Sequence, residues 1–173
     1  SYDNKSNTAV FDDNGFIWIG SVEGLTQYQN ISDNEKTGNQ KQLTVYINNI
    51  LIENKYVDWS DASLFNSGDY SSISFDGFFN WYKMPKDLKL DYTHNSIQFN
   101  LNTDDIAEQK QMNYSYKLIG FDKEWIQLFS SNEINYRNLP AGDYSLVIKA
   151  SLSNDFSNAK EHTYHFSVTP PFW

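Results

Sequence analysis

The groups able to do chemistry are few and badly spaced for it. Histidines stand at His94, His162 and His165. Successive side chains on a strand point to opposite faces, so His162 and His165, an odd number of positions apart, cannot share a metal there. Asp12-Asp-Asn-Gly15 superficially matches a calcium loop, but it lacks the spaced oxygens and the closing Glu, and a hairpin turn is the better reading. Asp104 and Asp105 are adjacent, which suits a solvated loop rather than an acid and base flanking a substrate. The absence of cysteine removes disulfides, thiolate zinc sites, iron–sulfur clusters and cysteine nucleophiles, and leaves the redox compartment open. No Gly-x-Ser-x-Gly, phosphate-cradling loop or dinucleotide fingerprint is present. Asn-x-Ser sequons at Asn4, Asn30 and Asn113 matter only in a eukaryotic secretory route. The expectation is a chain with no catalytic residue, no metal and no cofactor.

The charge balance narrows the partners. Twenty-two acidic residues against 13 basic ones give a net charge of -9, and Arg137 is the only arginine. Nucleic-acid binding draws its affinity from clustered Lys and Arg, so no nucleic-acid partner is expected. No apolar run approaches the ~20 residues that span a bilayer, and no basic-then-apolar leader is present. Ser1 therefore opens either a cytosolic protein or a piece of something larger. The 173 residues suffice for one β-sandwich, or for a domain plus a fragment of another, with a core that needs no staple.

The elements that must hold these residues are strands. Leu43, Val45 and Ile47 alternate with polar neighbours, as do Ile97, Phe99 and Leu101. Met112, Tyr114, Tyr116 and Leu118 form another face, Tyr144, Leu146, Ile148 and Ala150 a fourth, and His162, Tyr164, Phe166 and Val168 the last. Each series predicts a strand with one buried and one wet side, and together they predict an all-β antiparallel sandwich over 43–169. The polar stretch 104–111 lacks an apolar stripe and reads as a turn or loop. Residues 29–42 hold one apolar residue among turn formers and read as a linker. Before it, 1–28 carries Asn14-Gly15 between hydrophobic runs and a second turn at Val22-Glu-Gly-Leu25. This predicts about three short strands, too few to bury a face alone.

The residues Asp12, Gly15, Ile17, Trp18, Ile19, Gly20, Gly24, Leu25 and Tyr28 fall where the repeat of two-component-regulator β-propellers has Asp-x-x-Gly-x-Ile-Trp-Ile-Gly, Gly-Leu and an aromatic. The 1–28 unit resembles one such blade, the remnant of a propeller's last. The second half resembles the three-tyrosine (Y_Y_Y) domain that follows such propellers in the periplasmic sensor region of Bacteroides-type hybrid two-component histidine kinases. It does so through Tyr114-Ser-Tyr-Lys-Leu-Ile-Gly-Phe-Asp-Lys-Glu-Trp125, Ile134-Asn-Tyr-Arg-Asn-Leu-Pro-Ala-Gly-Asp-Tyr144, Val147-Ile-Lys-Ala150 and Phe166-Ser-Val-Thr-Pro-Pro-Phe-Trp173. The three tyrosines are Tyr116, Tyr136 and Tyr144, with Tyr114 as an alternative to Tyr116, and Gly120 belongs to the same motif. The resemblance implies an Ig/fibronectin-III-like sandwich and a periplasmic position in an inner-membrane sensor. It implies propeller blades before the sandwich, a membrane helix after it and often an oligosaccharide as stimulus. Residues 57–87 are longer than the family pattern leads one to expect.

Physical readings accompany these motifs. Pro140 presets a turn, Gly142 is expected to take a left-handed conformation, and the Tyr144 hydroxyl is expected to reach back near Leu139 as a tyrosine corner. Trp125 is expected to pack between the sheets. Pro170 and Pro171 stiffen the exit from the last strand, and Phe172 and Trp173 then lie where aromatic rings prefer the membrane interface. The aromatic-rich stretch 56–82 supports two readings. One is a sugar-stacking surface made of Trp59, Tyr70, Trp81 and Tyr82, the mark of a carbohydrate-binding module. The other, favoured because aromatics this dense bury each other, is a pair of strands with a loop folded on the core. The leading functional expectation is a non-catalytic signal relay, homodimeric in its receptor.

Overall fold

The computed structural model describes residues 43–80, 83–104 and 112–173 in full and the strand backbones of 8–11, 16–21 and 24–29. The chain divides into two compact units, Ser1–Lys41 and Gln42–Trp173. The linker reading at 30–42, the polar stretch 105–111 and the residues of the Asn14-Gly15 turn lie outside the described residues.

The first unit is an antiparallel meander of β1 (Thr8–Phe11), β2 (Phe16–Ser21) and β3 (Gly24–Gln29). Phe11 pairs with Ile17 and Ser21 with Gly24, so both expected hairpins form.

The second unit is a sandwich of two sheets. One has the order β10-β7-β4-β5, from β4 (Val45–Ile52), β5 (Lys55–Tyr56), β7 (Ile97–Thr103) and β10 (Glu133–Tyr136). The other has the order β6-β12-β11-β8-β9, from β6 (Leu88–Leu90), β8 (Asn113–Ile119), β9 (Ile126–Leu128), β11 (Gly142–Ser151) and β12 (His162–Val168). The chain crosses between sheets after β5, β6, β7, β9 and β10, and the repeated crossing is that of an Ig-like sandwich. The alternating residues predicted to face inward do so: Ile47, Phe99, Leu118, Leu146 and Tyr164 are fully buried between the sheets. In β4 the alternation changes phase at a bulge between Ile47 and Asn49, which lets Ile50 and Ile52 continue on the same inner face.

The segment 57–87 corrects the expectation of paired strands. Among its described residues it contains a single helix, α1 (Ala62–Asn66), capped by Asp61, whose carboxylate accepts from Ser63 N at 3.0 Å. Beyond it, only isolated bridges form, Ser74 with Lys89 and Phe78 with Pro85. Gly, Ser, Asp, Asn and Lys keep the apolar runs of this segment to one or two residues, too short for an extended ladder. The segment's product is β6, which it lays parallel to β12, with Leu88 opposite Phe166 and Leu90 opposite Val168. The buried Tyr164 hydroxyl fixes this course by donating to Pro85 O at 2.6 Å.

Candidate functional site

Two hydrogen-bonded nodes at one end of the sandwich set where the chain leaves it. The first is the crossover from β10 to β11. Tyr144, buried at the start of β11, donates its hydroxyl to Pro140 O at 2.5 Å. The tyrosine corner therefore forms one residue from the expected partner. Leu139, fully buried, is held by a two-way link to the turn before β7: its N–H donates to Asn95 O at 3.0 Å and its carbonyl accepts from Asn95 Nδ2 at 3.2 Å. Gly142 is corrected, since its backbone does not enter the left-handed region; the positive φ of this corner, 52°, belongs to Asn138. Asparagine tolerates that conformation. Gly120 does require glycine, with φ of 101° and a Cβ position 2.7 Å from Asp143 O and 3.1 Å from the Tyr144 ring.

Tyr136 and Tyr116 complete the cluster. Their rings meet edge-to-face at 6.2 Å, and Tyr144 stacks on Phe166 at 5.4 Å. The Tyr136 hydroxyl donates to Asp122, which also accepts from Leu118 N at 2.8 Å. Burial, then the Asp122 hydrogen bond and its charge, pushes the Tyr136 phenol well above its ordinary range. Burial and the same carboxylate raise Tyr116, and burial alone raises Tyr144 and takes Tyr114 up to about 12. Both Tyr114 and Tyr116 are buried, but the ring contact makes Tyr116 the cluster's member. The only sequence signal for Asp122 is an acid four residues after the inward-facing Leu118.

Trp125 is corrected as well. It is 40% exposed, and its ring lies under Lys149 Nζ at 4.5 Å on the outer face. In the β8–β9 pairing, Ile126 faces Tyr116 and Leu128 faces Tyr114, so the intervening parity turns Trp125 and Gln127 outward.

The second node ties down the exit. Past β12, Thr169 donates to Leu90 O twice, from N at 2.8 Å and from Oγ1 at 3.1 Å. Leu90 leads into a turn in which the Asp91 carboxylate accepts from Thr93 N at 3.0 Å, Thr93 Oγ1 at 2.9 Å and His94 N at 2.8 Å, with His94 Nδ1 also 2.8 Å away. Partial burial works against the Asp91 charge, yet hydrogen bonds from Ser72, Thr93 and His94 and the His94 charge bring it down to about 2. The sequence signal was Asp91-x-Thr93, a turn-forming pair that drew no expectation. Pro170 and Pro171 follow, Phe172 is fully exposed, and the Trp173 ring meets Tyr92 at 5.3 Å.

Two of the four residues expected on a stacking surface, Trp59 and Tyr70, pack against other rings. Trp59 is 4% exposed, donates Nε1–H to Ile50 O at 3.3 Å and stacks on Phe65 at 5.4 Å. Tyr70 is half-buried between Phe65 and His94. Trp81 and Tyr82 lie outside the described residues. A shallow polar groove of about 480 Å³ crosses β6, β12 and β11, lined among others by Asp76, Asp87, Asp143, Lys89 and His165. His165 Nδ1 there is 2.7 Å from Ser145 Oγ. Among the described residues, no three His, Asp or Glu converge as metal ligands, and no helix is long and apolar enough to cross a membrane.

Residues 107–169 match the Y_Y_Y domain. The solved structures similar in fold include the extracellular domain of BT4673 from B. thetaiotaomicron, named as a one-component system in one structure and as a hybrid two-component system in another. The first has 24% identity and a TM-score of 0.57, covering 99% of this chain and 21% of that one. The second has 25% identity and a TM-score of 0.55 with the same coverage. The extracellular domain of BT3049 from the same organism, named as a hybrid two-component system, has 23% identity and a TM-score of 0.56, covering 94% of this chain and 20% of that one. The chain spans about a fifth of the length of these structures. No curated protein matches it.

Proposed function

We propose that this chain is a non-catalytic relay module in the periplasmic part of an inner-membrane sensor of the hybrid two-component type. Propeller blades precede the sandwich and bind the stimulus, an oligosaccharide. A membrane helix follows Trp173 and leads to a cytoplasmic kinase, and the receptor is a homodimer. The observation that carries this reading is the pair of hydrogen bonds from Thr169 N and Oγ1 to Leu90 O, which ties the chain's exit to the sandwich. A rigid body held at both ends turns rotation of the head into displacement at the exit. The likeness to extracellular domains of bacterial sensors supports the setting.

The test is a flexible Gly-Ser insertion between Thr169 and Pro170 in the receptor. Stimulus binding is expected to persist while stimulus-dependent phosphorylation is lost. Unchanged phosphorylation contradicts a mechanical relay. Sedimentation of the membrane-anchored receptor as monomer alone contradicts the dimer.

A further inference from the structure

The exit end of the sandwich gathers exposed apolar side chains from three separate segments. β12 runs toward this end and β6 lies parallel to it, so Val168 and Leu90 arrive together. Gly142, the first residue of β11, pairs with Val168, and Ile119, the last of β8, pairs with Ser145 three positions further on. The β6–β7 turn, the β8–β9 turn, the corner and the exit therefore share one end. Tyr92 stands on the first of these, 41% exposed, with its ring on Trp173. Ile119 and Phe121 stand on the second, Phe121 49% exposed, and Phe172 and Trp173 project from the exit. Five of the eleven large apolar residues exposed among the described residues thus belong to this end.

From this placement we infer that the exit end is a lipid-contact surface, seated on the headgroup layer of a zwitterionic phospholipid bilayer through Tyr92, Ile119, Phe121, Phe172 and Trp173. The inference rests on the relay reading, which puts a bilayer beyond the exit. The chemistry of the residues selects this occupant. Tyrosine and tryptophan carry an apolar body with a polar tip, the combination favoured at the headgroup layer. Exposed Lys123 and Arg137 on the same end can reach lipid phosphates. The net charge of -9 opposes anionic surfaces, so apolar contact rather than charge attraction must hold the face down. Tyr92 lies some eighty residues from Trp173 in the chain, so the surface is a property of the fold, not of the exit peptide alone.

The test uses the whole chain with a hexahistidine tag after Trp173, tethered to phosphatidylcholine vesicles containing a little nickel-chelating lipid. Because the chain has no cysteine, Lys123→Cys and Leu152→Cys each accept one fluorescent label. Leu152 is similarly exposed but lies past the other end of β11. Headgroup-depth quencher lipid is expected to reduce the Lys123→Cys signal by about twofold or more and to leave the Leu152→Cys signal unchanged, since only the former end carries the apolar contacts. Tyr92→Ser with Phe121→Ser is expected to remove most of the difference. Phe172→Ser, at a fully exposed position that cannot unfold the sandwich, is expected to reduce it in part.

Equal signals from the two labels overturn the inference. So does a Lys123→Cys change that needs anionic lipid, or one that appears without vesicles as the chain is concentrated, which assigns the face to a second copy. The tag supplies the tether here, so these failures leave the relay reading to the Gly-Ser insertion, which is measured without reference to lipid contact.

Discussion

The molecule holds two aromatic clusters that are built on different physics. Around Trp59, Phe65 and Phe75, rings meet rings at 5.1 to 5.9 Å, and a single polar bond, from Trp59 Nε1, anchors the set. Around Tyr136 and Tyr144, hydroxyls end on Asp122, in the β8–β9 turn, and on Pro140 O, in the β10–β11 crossover. The first cluster supplies buried area, which is large and non-directional. The second supplies directional bonds that fix loops in place. Filling the side of a sandwich needs area; aiming its exit needs direction, and the tyrosines stand at the exit end.

Perturbing each cluster separates the two roles. Trp59→Ala removes the largest buried area of the insertion and strands Ile50 O, so unfolding free energy is expected to fall by about 3–5 kcal/mol in denaturant titration. A change below about 1 kcal/mol breaks the claim that this cluster is core.

The tyrosine substitutions keep the rings and delete the bonds. Tyr136→Phe deprives the Asp122 carboxylate of a donor and is expected to cost about 2–3 kcal/mol, and Tyr144→Phe about 1–2 kcal/mol, by thermal melting. Amide exchange in the corner at 137–141 is expected to rise more in Tyr144→Phe than in Trp59→Ala once both are compared at equal stability. The reverse order removes the distinction between the clusters.

Trp125→Ala sharpens the comparison from outside. An exposed ring under Lys149 is expected to contribute only about 1 kcal/mol, against the 3–5 kcal/mol of a buried one. A loss as large as that of Trp59→Ala contradicts the outward placement.

The smallest effect is electrostatic. Asp91, held near 2 against an ordinary 3.8, contributes stability that is fully present above about pH 4 and is lost as pH falls through 2. With allowance for solvent screening this amounts to about 1 kcal/mol. Asp91→Asn is therefore expected to melt below the parent at pH 7, with the gap closing toward pH 2. A gap that stays constant across that range contradicts the assignment.

How far these roles were legible depended on the range of the interactions. The inward faces of β8, β11 and β12 follow from period-two alternation, and the corner follows from Leu139-Pro-Ala-Gly-Asp-Tyr144, because both signals are local. The parallel pairing of β6 with β12 joins residues 78 positions apart, Leu88 and Phe166, and three residues carry too little pattern to announce it. Helix α1 is five residues long, shorter than the period needed to display an apolar stripe. Trp125 was misplaced through its chemistry: a large aromatic suggested burial, while the alternation of Ile126 and Leu128 already pointed it outward. In the corner, glycine at 142 drew attention to the wrong position, and Asn138 carries the left-handed turn. Asp91, Asp122 and Asn95 went unassigned because their partners come from other segments.

Amide hydrogen exchange at Thr169 tests most directly whether the exit is part of the rigid sandwich. Its N–H is bonded to Leu90 O one residue beyond β12, so it is expected to exchange as slowly as the interior amides of β12 and to accelerate with them on global unfolding. Exchange at the rate of an exposed tail, with β12 still protected, would mean that the chain leaves the sandwich on a loose tether and that no movement is relayed through it.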